Sequence, residues 1–305
     1  MKKNYKTILI GNSGFLGRCF LSSDDLMLSV GRTNLSTNYL NDHLHIDDWS
    51  DFSPLNNIDF DNVIFLIGSS DHEVINNEVT LAIEKNVLPL MSFLDYLLTR
   101  KNKPKKIVAF TTMLQYDSSK LVLPCNEVAV KKPYINKYVF SKYLAEHVSE
   151  YYRSHFDIID VRLSNVYGPT ELKRPDIVPS LIWSLLKDSK TFVRTKKPIR
   201  DFVYVGDVIT AVNGLLNTDF SGPINIESGF GTKVDKLCKV LENLSKKPII
   251  ELNEKHTGHL EYYHDLSLLK SLINFKATPI EKGLEYTFNP MKNFQLYNKK
   301  IIINF

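Results

Sequence analysis

The first half of the chain alternates short apolar runs with longer segments whose apolar residues recur at three-to-four spacing. The short runs are rich in β-branched residues and lack polar alternation, which is typical of parallel strands covered by helices on both faces. The pattern predicts five strands, at Thr7–Ile10, Met27–Val30, Asn62–Ile67, Lys106–Thr111 and Ile158–Leu163. It predicts three helices between them, at Phe15–Ser22, Val74–Thr99 and Ile135–His155. Repeated βαβ units of this kind predict an α/β fold with a doubly wound parallel sheet.

The rhythm changes after Leu163, where prolines interrupt the chain at positions 169, 175 and 179. The later segments predict helices at Val178–Leu186, Asp207–Leu216 and Val234–Leu244, and extended runs at Asp201–Val205 and Pro223–Ile226. We therefore expect two domains. The first comprises residues 1–165 with about 202–222, and a smaller α/β lobe comprises 166–201 and 223–305.

Composition places the chain among ordinary globular proteins, with 43% hydrophobic and 24% charged residues. A net charge of +4 is too small to require a nucleic-acid or membrane partner, and we expect neither. Three widely spaced cysteines indicate a reducing compartment rather than a disulfide framework. No apolar stretch reaches the roughly 18 residues that span a bilayer, and the first residues lack a signal-peptide pattern. We expect a soluble cytoplasmic protein.

A glycine-rich segment follows the first predicted strand, namely Gly11, Asn12, Ser13, Gly14, Phe15, Leu16 and Gly17. Glycines permit a tight strand-to-helix turn and let a pyrophosphate approach the main chain. The N–H groups and positive end of the following helix can then hold the phosphates. Since the segment lies between a strand and a helix, it predicts a Rossmann-type dinucleotide site that uses these seven residues.

The end of the second predicted strand bears on the choice of dinucleotide. NAD sites usually place a carboxylate there for the ribose 2′-OH, but no Asp or Glu lies between Met27 and Tyr39. Arg32 stands there instead, and an arginine can hold the 2′-phosphate of NADP. We favour NADP(H) and leave NAD(H) open. Asp47 and Asp48, further along, are candidates for contact with the adenine edge.

A tyrosine and a lysine, Tyr138 and Lys142, are four residues apart and share one helix face. Reduction of a carbonyl requires a proton donor at oxygen, and tyrosine with its pKa near 10 is a poor acid–base partner alone. A neighbouring ammonium group stabilises the phenolate and lowers that pKa. Thr112, at the end of a predicted strand, can donate a hydrogen bond to the same oxygen. We expect these three residues to be catalytic.

These ordered motifs resemble the extended short-chain dehydrogenases/reductases, in the branch of nucleotide-sugar epimerases, dehydratases and reductases. The resemblance extends to about Leu284 and implies catalytic roles for Thr112, Tyr138 and Lys142. It makes the second domain a nucleotide-sugar substrate lobe. It implies further cofactor contacts from Leu66, Ile67, Gly68, Asn86, Tyr138 and Lys142. It also implies substrate contacts from Thr112, Met113, Asn165 and Arg200, the last two at the diphosphate.

The chain departs from the family pattern in three places. The family's usual apolar-alanine-alanine stretch after the third predicted strand is replaced here by Leu66, Ile67, Gly68, Ser69 and Ser70, and we expect this to alter contacts around the nicotinamide or the sugar. In the 4,6-dehydratases of this family an Asp-Glu pair follows the catalytic threonine, whereas Met113 and Leu114 follow it here. Neither side chain can transfer a proton, so we do not expect dehydration. The late arginine of the substrate lobe has no clear counterpart near His259–Asp265.

The leading hypothesis is an NADPH-dependent reductase of a nucleotide-diphosphate 4-keto-6-deoxy sugar, supplying surface-polysaccharide precursors. One alternative is an NAD-dependent nucleotide-sugar 4-epimerase, and another is a non-catalytic NADP-binding sensor. The nucleotide and the sugar stay open. We expect a homodimer and no metal, although His256, His259 and His264 are closely spaced. The segment Lys299–Phe305 is a candidate edge strand, subunit contact or frayed tail.

Overall fold

The computed structural model describes residues 3–24, 26–35, 39, 41–71, 75–117, 119–255 and 260–297. The chain divides into two compact units. The first comprises 1–120, 127–163 and 212–225, and the second comprises 121–126, 164–211 and 226–305. The cofactor and substrate roles assigned to the two expected domains stay predictions.

The elements are numbered in chain order. The strands are β1 (Lys3–Ile10), β2 (Leu28–Gly31), β3 (His43–His45), β4 (Ile58–Phe65), β5 (Lys106–Thr112), β6 (Ile158–Leu163), β7 (Asn165–Tyr167), β8 (Thr191–Val193), β9 (Ile199–Tyr204), β10 (Gly222–Asn225), β11 (Gly231–Lys233) and β12 (Ile249–Glu251). The helices are α1 (Phe15–Ser23), α2 (Val79–Asn86), α3 (Leu88–Thr99), α4 (Lys137–Tyr152), α5 (Ile177–Lys187), α6 (Val205–Leu215), α7 (Val234–Ser245), α8 (Ser267–Leu272) and α9 (Ile280–Tyr297).

A seven-stranded sheet forms the centre of the first unit, in the order β10-β6-β5-β4-β1-β2-β3. Every neighbouring pair is parallel. From β1 the chain proceeds outward to β2 and β3, and then returns to the other side of β1 to form β4. This reversal confirms the predicted doubly wound, Rossmann-type α/β fold. Ligands of such sheets bind beyond the carboxyl ends of the strands at the reversal, here the ends of β1 and β4.

Burial explains why the central strands lack polar alternation. Ile8, Leu9 and Ile10 of β1 are fully buried, as are Val63 and Ile64 of β4. Because consecutive residues of a strand point to opposite faces, both faces of the sheet are covered.

The second unit contains two small sheets. Strand β9 pairs with β7 in parallel and with β11 in antiparallel orientation, while β8 and β12 form a parallel pair. Among the helices of the described residues, none is both long and apolar enough to cross a bilayer.

The predicted single helix Val74–Thr99 is wrong, because the described residues of this stretch include the separate helices α2 and α3. Helix α2 ends at Asn86, and α3 begins at Leu88 with Pro89 in its first turn. A proline has no backbone N–H and is favoured at a helix start, so the chain begins a new helix here. Val74 itself lies outside the described residues, as does the tail Lys299–Phe305.

Helix α4 begins two residues later than predicted. Asn136 precedes it, and the Asn136 side chain accepts a hydrogen bond of 2.8 Å from the Val139 N–H. This contact caps the first turn and fixes where the helix starts. The long helix α9 and the three-residue strands β3, β7, β8, β11 and β12 were not predicted.

A buried acid interrupts the apolar run of β6. Asp160 is fully buried and forms an ion pair with Arg153, which follows α4. Burial is the largest influence and raises the pKa of Asp160 to about 7, although the charge of Arg153 opposes it. The native state therefore binds a proton at this carboxyl more tightly than the unfolded chain does.

We expect Asp160→Asn to flatten the pH dependence of stability. With the folded pKa of Asp160 raised, its contribution to stability is complete below about pH 4 and is lost as the pH rises through about 7. Between about pH 5 and pH 8 the free energy of unfolding should fall by about 2 kcal/mol more in the native protein than in the variant. Urea unfolding of both proteins at the two pH values measures this difference. An equal change in the free energy of unfolding between the two pH values in both proteins would contradict the prediction.

Candidate functional site

The glycine-rich segment lies where β1 ends and α1 begins. Gly11 has a φ of +97°, and a Cβ placed on it would lie 3.0 Å from the Ile67 nitrogen. A Cβ on Gly17 would lie 2.5 Å from the Gly11 carbonyl oxygen. Gly14 precedes α1, and a Cβ there would meet nothing within 4 Å. The glycines at 11 and 17 thus permit close packing, while Gly14 leaves open space at the helix N-terminus.

This arrangement fits the phosphates of a dinucleotide. Residues 15–18 form the first turn of α1 and carry no acidic side chain, so nothing there opposes the positive end of the helix. Phe15 is buried, Leu16 is half-buried and Ser13 is exposed. The Asn12 side chain, unlike that of Ser13, is buried. Its Nδ2 donates hydrogen bonds to the Ser29 hydroxyl in β2 and to the Thr33 carbonyl in the turn after β2.

The charged residues beyond β2 are at the surface. Arg32 is exposed, with its guanidinium carbon 5.8 Å from the centre of the Trp49 ring. Asp47 contacts His45 at 2.8 Å. Asp48 accepts a hydrogen bond from the Ser50 N–H, which together with the charge of Arg32 lowers the pKa of Asp48.

Gly68, three residues after the end of β4, lies close to side chains of α2 and α4. Gly68 has a φ of +150°, and a Cβ on it would lie 2.9 Å from both the Asn86 Oδ1 and the Lys142 Nζ. Asn86 accepts a hydrogen bond from the Ser69 N–H at 2.7 Å and donates to the Ser141 hydroxyl at 2.9 Å. The structure therefore brings Gly68, Asn86 and Lys142 together. Leu66 and Ile67, half-buried, precede Gly68.

The predicted catalytic residues belong to β5 and α4. Thr112 ends β5, and its hydroxyl oxygen accepts from the Leu114 N–H at 3.2 Å. Tyr138 is 8% exposed and lies in the first turn of α4, where its N–H donates to the Asn76 side chain at 3.1 Å. The Ser141 hydroxyl donates to the Tyr138 carbonyl at 2.8 Å, which links Tyr138 to Asn86 through Ser141.

Lys142 lies one turn after Tyr138. Its ammonium group donates to the Phe110 carbonyl of β5 at 3.1 Å. Burial lowers the pKa of Lys142 to about 8. The group is still mostly protonated at neutral pH, so a positive charge lies on the helix face that also carries Tyr138.

A buried ionic network supports this helix, and the sequence had not revealed it. Glu146 lies two turns beyond Tyr138 and pairs with the fully buried Arg162 of β6. Glu146 also accepts hydrogen bonds from Lys131 at 2.7 Å, Gln115 at 2.8 Å and the Thr111 hydroxyl at 3.4 Å. Burial alone would raise the pKa of Glu146, but Arg162 and the other donors lower it to about 2. Arg162 also donates to the Tyr116 hydroxyl, four residues beyond Thr112, at 2.7 Å.

The two predicted diphosphate ligands share one neighbour in the second unit. Asn165 donates from Nδ2 to the Tyr262 hydroxyl at 2.7 Å, and the Arg200 guanidinium carbon is 4.7 Å from the Tyr262 ring centre. Arg200 also donates to the Leu260 carbonyl at 3.1 Å. Burial raises the pKa of Tyr262 to about 12, so this phenol stays neutral. No sequence signal singled out Tyr262, because it is 97 residues from Asn165.

A second buried cluster of this unit contains His264, the described member of the three closely spaced histidines. His264, Asp201 and Glu227 offer ligand atoms within 4.8 Å of one another. The Asp201 carboxylate, however, accepts from the N–H groups of Ser228, Gly229 and His264 at 2.9, 3.1 and 3.2 Å, and also from the Ser228 hydroxyl. Because four hydrogen-bond donors already satisfy this carboxylate, we interpret its role as structural rather than metal-binding. His256 and His259 lie outside the described residues.

The doubly wound sheet and the glycine-rich turn at its reversal have the form of a Rossmann-type dinucleotide-binding fold. A family model described as the NAD dependent epimerase/dehydratase family matches residues 7–226, which is most of the chain. The chain therefore belongs to this family, whose members are oxidoreductase-type enzymes.

Two curated relatives share part of the sequence. A dTDP-D-glucose 4,6-dehydratase of Dictyostelium discoideum is 32% identical over 124 residues, 39% of this chain and 28% of the relative. A CDP-abequose synthase of Salmonella muenchen is 30% identical over 118 residues, 37% of this chain and 40% of the relative. The alignments thus cover less than half of the length of either relative.

The fold matches solved structures over nearly its whole length. The UDP-glucose 4-epimerase of Thermotoga maritima, solved with UDP-glucose, has a TM-score of 0.81 and 19% identity. The match covers 94% of this chain and 97% of that one. At this identity the likeness concerns the fold.

Proposed function

We propose that the chain is an NADPH-dependent reductase of a nucleotide-diphosphate 4-keto-6-deoxy sugar. The observation that carries the proposal is the set of side chains at the end of β5. Thr112 is followed by the buried Met113 and the half-buried Leu114, neither of which can transfer a proton. Elimination of water needs an acid and a base at these positions, whereas reduction needs only hydride and the proton of Tyr138.

The proton chemistry follows from the residues of β5 and α4. A bound nicotinamide would supply hydride to the sugar C4. Tyr138 donates its phenolic proton to the C4 oxygen, so that the carbonyl becomes a hydroxyl and the tyrosine a phenolate, which regains a proton from solvent. The Lys142 ammonium stabilises that phenolate, and the Thr112 hydroxyl donates a hydrogen bond to the same oxygen. Asn86 and Ser141 hold the turn that carries Tyr138.

Substrate binding is assigned to the second unit. The Arg200 guanidinium and the Asn165 amide would contact the diphosphate, with Tyr262 holding both side chains. Binding energy gained on the diphosphate would place the reacting carbon, so loss of these contacts is expected to reduce turnover as well as affinity. The exposed Arg32 supports NADPH as the reductant. Supply of surface-polysaccharide precursors is the proposed role of the product.

A panel of nucleotide sugars incubated with NADPH tests this function. We expect stoichiometric loss of the reduced-nicotinamide absorbance with one or more 4-keto-6-deoxy sugars, and a C4 hydroxyl in the product by NMR. Interconversion of two C4 epimers without net NADPH oxidation would instead identify a 4-epimerase. Binding of dinucleotide without turnover of any sugar would identify a sensor.

A further inference from the structure

The geometry points to Asn12 and Gly31 as an interlocked pair that makes this chain select a dinucleotide bearing a 2′-phosphate. Asn12 belongs to the glycine-rich segment, and Gly31 is the last residue of β2. The inference rests on the proposed function, because it assumes that a dinucleotide binds at the end of β1. It assigns to Asn12 a role in specificity that the glycine pattern alone does not contain.

The Asn12 side chain occupies the space that a side chain at position 31 would need. A Cβ placed on Gly31 would lie 2.2 Å from the Asn12 Oδ1, 2.7 Å from its Cγ and 3.0 Å from its Nδ2. All three distances are shorter than ordinary van der Waals contact. The whole carboxamide, rather than one atom at its end, would therefore have to move.

Hydrogen bonds hold the carboxamide in that place. Asn12 is 1% exposed, and its Nδ2 donates to the Ser29 hydroxyl at 2.8 Å and to the Thr33 carbonyl at 2.9 Å. The same Ser29 hydroxyl lies 3.2 Å from the His43 Nδ1. Moving the carboxamide would leave buried polar groups without partners, which is costly. The pair therefore keeps position 31 without a side chain.

This constraint excludes the usual determinant of NAD binding. A carboxylate at the end of the second strand accepts from the ribose 2′-OH of NAD and repels a phosphate at the same place. No such group fits at position 31 while Asn12 stays in place. Of the acids further along the chain, Asp47 contacts His45 and Asp48 accepts from the Ser50 N–H.

The positive charge next to the pair suits a phosphate. Arg32 follows Gly31 directly and is exposed, with the Trp49 ring beside its guanidinium group. A guanidinium group makes charge-assisted, bidentate hydrogen bonds with phosphate oxygens. Exclusion of a carboxylate and the presence of Arg32 thus favour the same ligand, an adenosine 2′-phosphate.

Thermal unfolding of the protein without ligand tests the interlock itself. Gly31→Ala should lower Tm by about 5 °C in the native background, but by no more than about 1 °C when Asn12→Ala is also present. Gly14→Ala is the matched control, because its new Cβ meets nothing within 4 Å and Tm should stay nearly unchanged. Asn12→Ser replaces Asn12→Ala if the latter does not fold. An equal loss of Tm in both backgrounds would overturn the interlock.

Fragment binding tests the specificity without catalysis. Native protein should bind adenosine 2′,5′-bisphosphate at least about 10-fold more tightly than AMP, by calorimetry. The double variant with Asn12→Ala and Gly31→Asp should lower that ratio by about 10-fold or more relative to Asn12→Ala alone. An unchanged ratio would overturn the role in specificity. If native protein binds neither NADPH nor NADH, the proposed function itself fails. If it binds NADPH but Gly31→Ala lowers Tm equally with and without Asn12→Ala, only the interlock is refuted.

Discussion

Tyr138→Phe should lower kcat for reduction of the sugar by about 10³-fold while the affinity for NADPH stays within about twofold. The substitution removes only the phenolic O–H, and proton donation by a positioned group is typically worth 10²- to 10⁴-fold. The ring is buried in the first turn of α4, so the packing of the helix should persist. Steady-state kinetics with NADPH, together with fluorescence titration of the dinucleotide, measure the two quantities.

Tyr143→Phe provides the matched control, because Tyr143 lies on the same helix and its ring packs perpendicular to the ring of His147. Its kcat should match that of the native protein. Retained turnover in Tyr138→Phe would show that another group protonates the sugar oxygen, and the proposed mechanism would then be wrong.

Glu146→Ala should lower the free energy of unfolding by about 3–5 kcal/mol at neutral pH. The substitution leaves Arg162 fully buried without its carboxylate, and also removes the acceptor of Gln115 and Lys131. The low pKa of Glu146, about 2, means that its contribution is present above about pH 4.5 and is lost as the pH falls towards 2. The difference in the free energy of unfolding between the native protein and the variant should therefore become smaller in acid. Urea unfolding at neutral and acidic pH measures it.

Glu150→Ala, on the exposed side of the same helix, should change stability by less than about 0.5 kcal/mol. A double variant with Glu146→Leu and Arg162→Met removes both charges and should recover much of the loss, since apolar replacement of a whole buried pair is often tolerated. If the double variant is no more stable than Glu146→Ala, the loss comes from packing rather than from the stranded arginine.

Much of the candidate cofactor region could be predicted from sequence, because its signals are local. The glycines at 11, 14 and 17 follow an apolar run directly, and Tyr138 and Lys142 share a helix face through their spacing alone. The apolar runs likewise predicted β1, β2, β4, β5 and β6 of the central sheet, because these runs are buried on both faces. The extended run Pro223–Ile226 predicted a sixth strand of that sheet, β10. Local signals of this kind need no knowledge of distant partners.

The rest depended on partners far apart in the chain. The Asn12 side chain contacts Ser29, 17 residues later, so its structural role did not show in the glycine pattern. Tyr262 acquires its place between Asn165 and Arg200 only when β9 has paired with its neighbours. Strands of three residues are too short to show a hydrophobic period. Pro89 is a local signal for the break between α2 and α3. The apolar residues keep a helical spacing through that stretch, and for this reason the sequence predicted one continuous helix.

The four donors that converge on the Asp201 carboxylate fix both ends of a long segment of the second unit. They come from Ser228, Gly229 and His264, which lie on either side of a segment of more than 30 residues that includes β11, α7 and β12. Asp201 directly follows Arg200 in the chain, and His264 lies two residues after Tyr262. Both ends of that segment are therefore fixed beside the proposed diphosphate ligand Arg200 and its neighbour Tyr262. Insertions within that segment should therefore leave the contact between Arg200 and Tyr262 in place.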